Sequence, residues 1–256
     1  MKSGIIIVAR LGSARLHKKH LLLVNGQPII NFLIERIHHE FKNEINKDQI
    51  NIIIATTNEL EDKELNKFSN EYINVFFGSK ENIPLRQLEA AQQFLIKNII
   101  SIDGDDILCS PKGMREVYFW LIKGKQYVKT SGLPFGMNSF GYSTDYLKMS
   151  LEKNGAKVLE TGWGRIFNQD QPHEINYKKD KKDQLLRFSL DYKEDFEMFK
   201  AILTTKGIVC CSVSDAEIIK IVIDNSLFRL NQTRIEEYWN NFNRNLINEE
   251  PKLRGK

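Results

Sequence analysis

Four short runs of apolar residues, separated by segments with helical spacing, limit what this chain can fold into. The runs lie at 5–8, 49–55, 73–77 and 99–102. Each consists mostly of apolar residues and is too short for a helix, as expected of a strand buried on both faces of a sheet. The segments between them, 27–41, 61–68 and one that begins at Pro84, carry apolar residues every three or four positions. Pro28 is expected in the first turn of the first helix. This alternation predicts an α/β fold on a mostly parallel sheet.

The second half of the chain has weaker patterns. Strands are predicted at 126–129, 140–142 and 185–190, and helices at 144–153, 193–203, 215–225 and 232–245. The stretch 161–183 is polar and aromatic, and its charge run at 178–183 is expected to be a solvated loop. We expect one domain over residues 1–256, with an inserted lobe at about 126–185 and a C-terminal helical extension at about 207–256.

Composition excludes several classes of protein. The 256 residues are enough for a full core, and the net charge of +4 is small and well mixed, so binding to nucleic acid is not predicted. No apolar run approaches the roughly 18 residues of a membrane span. The first residues lack the apolar region of a signal peptide. The cysteines, Cys109, Cys210 and Cys211, have neither disulfide-framework nor zinc-site spacing. A cytoplasmic protein without a membrane partner is expected.

A basic segment follows the first predicted strand directly. Residues 9–19 include Arg10, Arg15 and Lys19, together with Gly12 and Ser13. In an open α/β sheet, ligands bind at the carboxyl ends of the strands, and arginine and lysine pair well with phosphate there. The segment therefore favours a polyphosphate ligand, although neither G-x-x-x-x-G-K-[ST] nor G-x-G-x-x-G is present. On its own, a basic surface loop without a ligand explains it equally well.

Two acidic segments favour a ligand-binding role for the basic segment over a surface loop without a ligand. Asp103-Gly104-Asp105-Asp106 ends the fourth predicted strand, and Asp191 ends a later one. Mg²⁺ is commonly held by one or two carboxylates together with phosphate oxygens. A turn explains 103–106 taken alone, because Asp and Gly are turn residues. The basic loop and both acidic strand ends together predict a Mg²⁺–nucleotide site.

Several motifs resemble those of a known family in the same order along the chain. They are "ARLGSARLHKKHLLLVNGQPII", "IIIATTNELED", "GSKENIPLRQLEAA", "SIDGDDILCSP", "LPFGMNSFGYSTDYLKMSL" and "RFSLDYKEDFEMFKAI". The first and last are fairly specific as a pair, and the others gain weight from their order. The chain resembles the nucleotide-sugar cytidylyltransferases, in particular the homologues of CMP-ketodeoxyoctonate (Kdo) synthetase typified by spore coat polysaccharide biosynthesis protein F.

The resemblance implies a Rossmann-like, mostly parallel sheet of the nucleotidyltransferase (GT-A-like) type with an inserted acceptor-binding lobe. It implies transfer of CMP from CTP to a small acidic acceptor, with loss of pyrophosphate and with Mg²⁺ as cofactor. By position, the nucleotide-binding residues would be Ala9, Arg10, Leu11, Gly12, Ser13, Arg15, Lys19, Thr56, Arg86 and Asp103. Catalysis would rest on Arg15, Lys19, Asp105 and Asp191, of which Asp105 and Asp191 would bind Mg²⁺. The acceptor would contact Arg86, Asn138, Trp163 and Arg165.

The chain departs from the family pattern at four places. His17-Lys18 replaces the usual Pro-Gly, so that Lys18 either adds to the binding of phosphate or alters only the loop shape. Ile107 stands where a Pro is usual, and Gly162-Trp163-Gly164-Arg165 replaces a Glu-His pair. Ser139-Phe140-Gly141 stands where relatives often have a Glu, which leaves recognition of the acceptor open.

Other functions fit parts of the sequence. A nucleotidyltransferase that uses UTP or GTP would share the same loop. A glycosyltransferase would explain Asp103-Gly104-Asp105 as a D-x-D motif, but it would not need the basic loop. A non-catalytic protein of glycan assembly would have no need of both the cationic and the acidic residues. The aromatic C-terminal residues Phe228, Tyr238, Trp239 and Phe242 suit either a homodimer interface or packing onto the sheet.

Overall fold

A seven-stranded sheet runs through the protein in the computed structural model, which describes residues 2–155, 158–167, 171–178, 186–205 and 210–253. The strands are β1 (Ser3–Val8), β4 (Ile50–Thr57), β5 (Ile73–Gly78), β6 (Asn98–Asp103), β7 (Tyr127–Ser131), β8 (Phe140–Ser143) and β9 (His173–Asn176). Their order across the sheet is β5-β4-β1-β6-β8-β7-β9. A separate hairpin pairs β2 (Leu23–Val24) with β3 (Gln27–Pro28). The predicted α/β fold is confirmed.

The four strands predicted from apolar runs form the parallel half of the sheet. Ile5 of β1 lies opposite Ile52 of β4 and Ile100 of β6, and all three are fully buried. Their continuous apolar character follows from this position, because helices cover both faces of the sheet. The carboxyl ends of β1, β4 and β6 consequently meet at one edge, which places the basic loop beside Asp103.

Helices cover the two faces of the sheet, and a further group packs against the segment that follows β6. They are α1 (Ile30–Asn46), α2 (Ile83–Gln93), α3 (Pro111–Ile122), α4 (Thr144–Asn154), α5 (Lys193–Leu203), α6 (Asp215–Asp224) and α7 (Arg234–Leu253). Residues of α1 and α3 share one apolar cluster, and residues of α2 and α4 share another on the opposite face. A third cluster joins α5 and α6 to Ile107 and Leu108, which follow β6. Among the described residues, no helix combines the length and the apolar character that a membrane crossing requires.

Three sequence predictions about secondary structure are wrong or incomplete. The first helix begins at Ile30, not at residue 27, because Gln27 and Pro28 pair with the preceding strand across a turn in which Asn25 and Gly26 have positive φ. Residues 186–190 form no strand; Arg187 makes only an isolated bridge to Phe135. Helix α3 and strand β9 were not predicted. Residue 185 and most of the charge run, 179–183, lie outside the described residues.

Candidate active site

A cleft of about 670 Å³ opens at the carboxyl ends of β1 and β6. Strand β1 delivers the basic loop to this edge, and β6 delivers the acidic segment. The predicted residues that line the cleft are Ala9, Arg10, Ser13, Arg15, Lys19, Arg86, Asp103, Asp105, Trp163 and Asp191. Residues more than 170 positions apart in sequence therefore share one site, as the pairing of Arg15 with Asp191 shows.

Lys19 lies between two aspartates of the cleft. Its Nζ is 2.7 Å from Asp105 Oδ2 and 3.1 Å from Asp191 Oδ1, and the lysine side chain is only 9% exposed. Burial alone would lower the pKa of Lys19, but the charges of Asp105 and Asp191 raise it above its ordinary value. Lys19 therefore carries a positive charge that is fixed in place and shared by both carboxylates.

Asp191 is held by cations from three directions. Besides Lys19, Arg15 approaches its Oδ1 at 2.5 Å and Arg187 approaches its Oδ2 at 2.6 Å. Burial raises the pKa of Asp191, but the charges of Lys19, Arg15 and Arg187 outweigh it and lower the pKa to about 2. The carboxylate is consequently ionised at all physiological pH values.

A buried network behind Asp191 fixes its position. Arg187 is paired with Asp195, which is fully buried at the start of α5. Asp195 Oδ2 accepts the backbone N–H of Asp191 at 2.9 Å and that of Tyr192 at 2.8 Å. Asn231 donates to the other carboxylate oxygen of Asp195 at 2.9 Å. Sequence analysis missed Arg187 and Asn231 as positioning residues, although Arg187 opens the last motif of the family resemblance.

Three aspartates lie close together at the end of β6 and in the turn that follows it. One carboxylate oxygen from each of Asp103, Asp105 and Asp106 lies within 4.8 Å of the others. Burial, followed by the charge of Asp105, raises the pKa of Asp103 to about 7 and that of Asp106 well above its ordinary value. Hard oxygen donors that repel one another suit a divalent cation such as Mg²⁺, whose charge relieves the repulsion. The donor set on β6 therefore fits the metal that the sequence implies.

Three predicted nucleotide-binding residues do not line the cleft. The N–H of Leu11 donates to Asp62 Oδ1 at 2.6 Å, and Thr56 is fully buried at the end of β4. A Cβ on Gly12 would lie 2.5 Å from a carboxylate oxygen of Glu61. The contacts of Leu11 and Gly12 hold the basic loop against the 3-10 helix Glu61–Phe68, which follows β4.

Two predicted acceptor-binding residues also lie outside the lining. Asn138 donates to the carbonyl oxygen of Leu133 at 2.9 Å and so closes the turn before β8. Arg165 donates to the carbonyl oxygens of Thr161 and Gly162 and pairs with Glu249 at 3.4 Å. Both side chains hold loops in this structure.

The remaining predicted residues form the far end of the cleft. Arg10 pairs with Glu160, and Arg86 is only 1% exposed. Burial, followed by the charge of Arg10, lowers the pKa of Arg86 to about 10. The Nε of Arg86 has no hydrogen-bond partner among the described residues. Trp163 packs against Phe140 within an aromatic cluster and also lines the cleft.

Helix α7 forms a wall of the cleft that sequence analysis did not foresee. It contributes Tyr238, Trp239, Phe242, Asn245, Asn248 and Glu249. The guanidinium group of Arg187 lies 4.6 Å from the ring centroid of Tyr238, which joins the helix to the Asp191 network. The periodicity of these positions was visible in the sequence, but nothing there indicated that one face of the helix meets the basic loop.

Comparison with known proteins identifies the family to which the chain belongs. Residues 4–240 match the model of a protein family described as Cytidylyltransferase. The chain belongs to the cytidylyltransferase family. The match spans the basic loop, the acidic end of β6 and Asp191, and the resemblance inferred from the motifs is confirmed. As a cytidylyltransferase, the protein is a nucleotidyltransferase that transfers CMP from CTP.

Relatives of this cytidylyltransferase are diverse in sequence. Uncharacterized protein MJ1063 of Methanocaldococcus jannaschii is 28% identical over 206 residues, which cover 78% of this chain and 82% of that protein. A cytidylyltransferase from Leptospira borgpetersenii serovar Hardjo-bovis has a TM-score of 0.74 with 22% identity, covering 90% of this chain and 98% of its own. A CMP:2-keto-3-deoxy-manno-octonic acid synthetase complexed with CTP has a TM-score of 0.52 with 13% identity, covering 80% and 100%. These structures share the nucleotidyltransferase fold.

Proposed function

We propose that this cytidylyltransferase transfers CMP from CTP to an acidic sugar, or to another small acidic or phosphorylated acceptor, and releases pyrophosphate. The reaction would serve the synthesis of a surface polysaccharide or another glycan, and would take place in the cytoplasm. The observation that carries the proposal is the position of Lys19, whose ammonium group joins Asp105 to Asp191 beside Arg15. A cationic loop and a group of aspartates at one strand edge are what a triphosphate and its metal require.

The chemistry follows from the charges. An oxygen of the acceptor forms a bond to the α-phosphorus of CTP, and the bond from that phosphorus to the bridging oxygen breaks. Its electron pair leaves with pyrophosphate, and the proton of the acceptor hydroxyl passes to solvent. Negative charge grows on the leaving group, where Arg15 and Lys19 stabilise it. Positioning and electrostatics account for the catalysis, so no side-chain nucleophile is required.

Mg²⁺ is the proposed cofactor. Asp105 and Asp191 would hold it, with Asp103 and Asp106 beside them. When bound, such an ion polarises phosphoryl oxygens as a Lewis acid. The protein's own contribution is to keep Asp191 ionised through its three cationic neighbours and to fix its backbone through Asp195.

The proposed acidity of the acceptor rests on the far end of the cleft. Arg86 is buried there with an unpartnered Nε, and a buried cation favours an anionic ligand. One solved structure with this fold is named as a CMP:2-keto-3-deoxy-manno-octonic acid synthetase, and the compound in that name is an acidic sugar. That name is a precedent for the proposed class of acceptor.

Calorimetric titration with CTP, UTP, GTP and ATP, each with Mg²⁺, tests the proposal. Binding of CTP in preference to the other three, weakened in Asp105→Asn, is expected. Equal binding of all four triphosphates, unchanged in Asp105→Asn, would contradict the link between this cleft and CTP. Preferential binding of an intact sugar nucleotide would favour a glycosyltransferase instead.

A further inference from the structure

One face of α7 lines the cleft over three helical turns. Tyr238, Phe242, Asn245 and Glu249 follow one another at intervals of four, three and four residues, which places them on the same side of a helix. Trp239 and Asn248 flank them. The face is aromatic at its beginning and polar at its end, so the two ends of the cleft differ in chemistry.

Contacts at both ends fix this face in place. At the start of the helix, the guanidinium group of Arg15 lies 5.7 Å from the ring centroid of Tyr238. At the end, Glu249 accepts the backbone N–H of Thr161 at 2.8 Å and pairs with Arg165. Residues 238–249 therefore reach from the phosphate-binding loop to the segment that contains Trp163.

The middle of the face carries groups that suit a hydroxylated ligand. Asn245 and Asn248 are exposed, and neither side chain has a hydrogen bond among the described residues. Each amide offers both a donor and an acceptor. Trp239, which is 44% exposed, and the half-buried Phe242 supply apolar ring surface next to them. Ring surface beside free amides binds molecules that have both C–H and O–H groups.

The position of these amides in the chain separates them from the shared chemistry of the family. The family match ends at residue 240, before Asn245 and Asn248. The residues expected to bind CTP and the metal all precede that point. The part of this wall that lies beyond residue 240, which includes Phe242, Asn245 and Asn248, is suited to the substrate that differs among cytidylyltransferases, which is the acceptor.

We propose that α7 recognises the acceptor, through the side chains of Asn245 and Asn248 that line the cleft. Asn245 and Asn248 bind its hydroxyl groups, the rings of Trp239 and Phe242 pack against its carbon skeleton, and Arg86 binds its acid group. This inference rests on the proposed function, because it specifies the second substrate of the same reaction.

The test uses the full chain with radiolabelled CTP, Mg²⁺ and a deproteinised extract of polar cell metabolites. Labelled CMP conjugates formed by the wild type are separated by chromatography, and the acceptor is identified by mass spectrometry and purified. The KM values for the acceptor and for CTP are then measured for N245A/N248A and for N243A. Asn243 is an exposed asparagine of the same helix outside the cleft lining, so N243A is the matched control.

The expected acceptor has several hydroxyl groups and one acid group. In N245A/N248A its KM rises about 10- to 100-fold, as expected for the loss of two hydrogen bonds, while the KM for CTP changes less than about twofold. N243A matches the wild type. An unchanged acceptor KM, an equal rise in the KM for CTP, or an acceptor without free hydroxyl groups would each overturn the inference. Absence of any conjugate with the wild type would instead overturn the proposed function, and this inference with it.

Discussion

Lys18 and Lys19 are neighbours in the chain, but their side chains have opposite surroundings. Lys18 has a left-handed backbone with φ of 49°, and its Nζ lies 2.6 Å from Glu64 on the surface. Lys19 begins a short 3-10 helix, and its Nζ lies 2.7 Å from Asp105 in the cleft. The two side chains are 41% and 9% exposed. The pairing of Lys18 with Glu64 favours an effect of the His17-Lys18 departure on loop shape.

This contrast yields the first prediction. Lys19→Met removes the cation that joins Asp105 to Asp191, and we expect kcat for pyrophosphate release to fall about 10²- to 10³-fold, since preorganised charge is a major part of such catalysis. Lys18→Met is the control, with kcat within about twofold of the wild type. A steady-state pyrophosphate assay measures both. Similar losses in the two variants would show that the loop acts only through its overall charge.

The acidic end of β6 leads to a prediction about the metal. Asp105→Asn removes one charge from the cluster, and we expect the Mg²⁺ concentration for half-maximal activity to rise at least about 10-fold. Asp224→Asn, an exposed change on α6, should leave it unaltered. Chelation by EDTA should abolish wild-type turnover, and added Mg²⁺ should restore it. An unaltered Mg²⁺ requirement in Asp105→Asn would remove Asp105 from the set of metal ligands.

The network behind Asp191 should matter for stability as well as for activity. Asp195→Ala leaves Arg187 with one carboxylate fewer and strips two backbone N–H groups of their acceptor. Breaking a buried ion pair of this kind costs about 3–5 kcal/mol of unfolding free energy. Glu197→Ala, an exposed change on the same helix, should cost less than about 0.5 kcal/mol. Urea denaturation compares the two, and equal midpoints would show that the network is dispensable.

The close approach of α7 to Gly162 gives a paired prediction. Gly162 and Gly155 have φ of 57° and 66°, so alanine is strained at both, by about 1–2 kcal/mol. Only at position 162 does the new Cβ meet another element, because it would lie 2.8 Å from Leu246 of α7, whereas nothing lies within 4 Å at position 155. Gly162→Ala should therefore force the Leu246 side chain aside, loosen the packing of α7 and expose its peptide bonds to a protease that does not cut Gly155→Ala. Limited proteolysis followed by mass spectrometry distinguishes them, and identical cleavage patterns would contradict tight packing at this point.

The cysteines should differ in reactivity. Burial raises the pKa of Cys109 to about 12 and that of Cys210 to about 11. A raised pKa lowers the fraction of thiolate at pH 8, and thiolate is the reactive form. Iodoacetamide should therefore label Cys211, which is half-buried, in the native protein, and all three cysteines after unfolding in urea. Peptide mapping measures this, and rapid labelling of native Cys109 would contradict its burial.

The parallel half of the fold was predictable because its strands are buried on both faces. Such strands appear in sequence as continuous apolar runs, and the residues at 5–8 and 99–102 needed no other signal. The association of the basic loop with Asp105 was predictable for the same reason, since adjacent parallel strands deliver their carboxyl ends to one edge. The antiparallel part was less accessible. Strand β9 contains His173, Glu174 and Asn176, whose polarity gives no strand pattern.

The apolar residues of 186–190 predicted a strand, but this segment forms none. Leu186, Phe188 and Leu190 are all buried, so their apolar character was interpreted correctly as burial. They pack among helices α5 and α6 rather than between strands, and an apolar alternation cannot distinguish these partners. Helix α7 raises the same difficulty. Its aromatic residues contact Phe135 and line the cleft, and only the tertiary fold shows on which side of the sheet's edge the helix lies.

The distance along the chain between Lys19 and Tyr238 has a consequence for synthesis. A ribosome completes the basic loop first and begins α7 more than 200 residues later. At roughly 5–20 residues per second, this interval lasts roughly 10–40 seconds. During that time the basic loop lacks its contact with α7, where the guanidinium group of Arg15 lies 5.7 Å from the ring centroid of Tyr238. The site is therefore assembled only once α7 has been made, after the sheet that supports it.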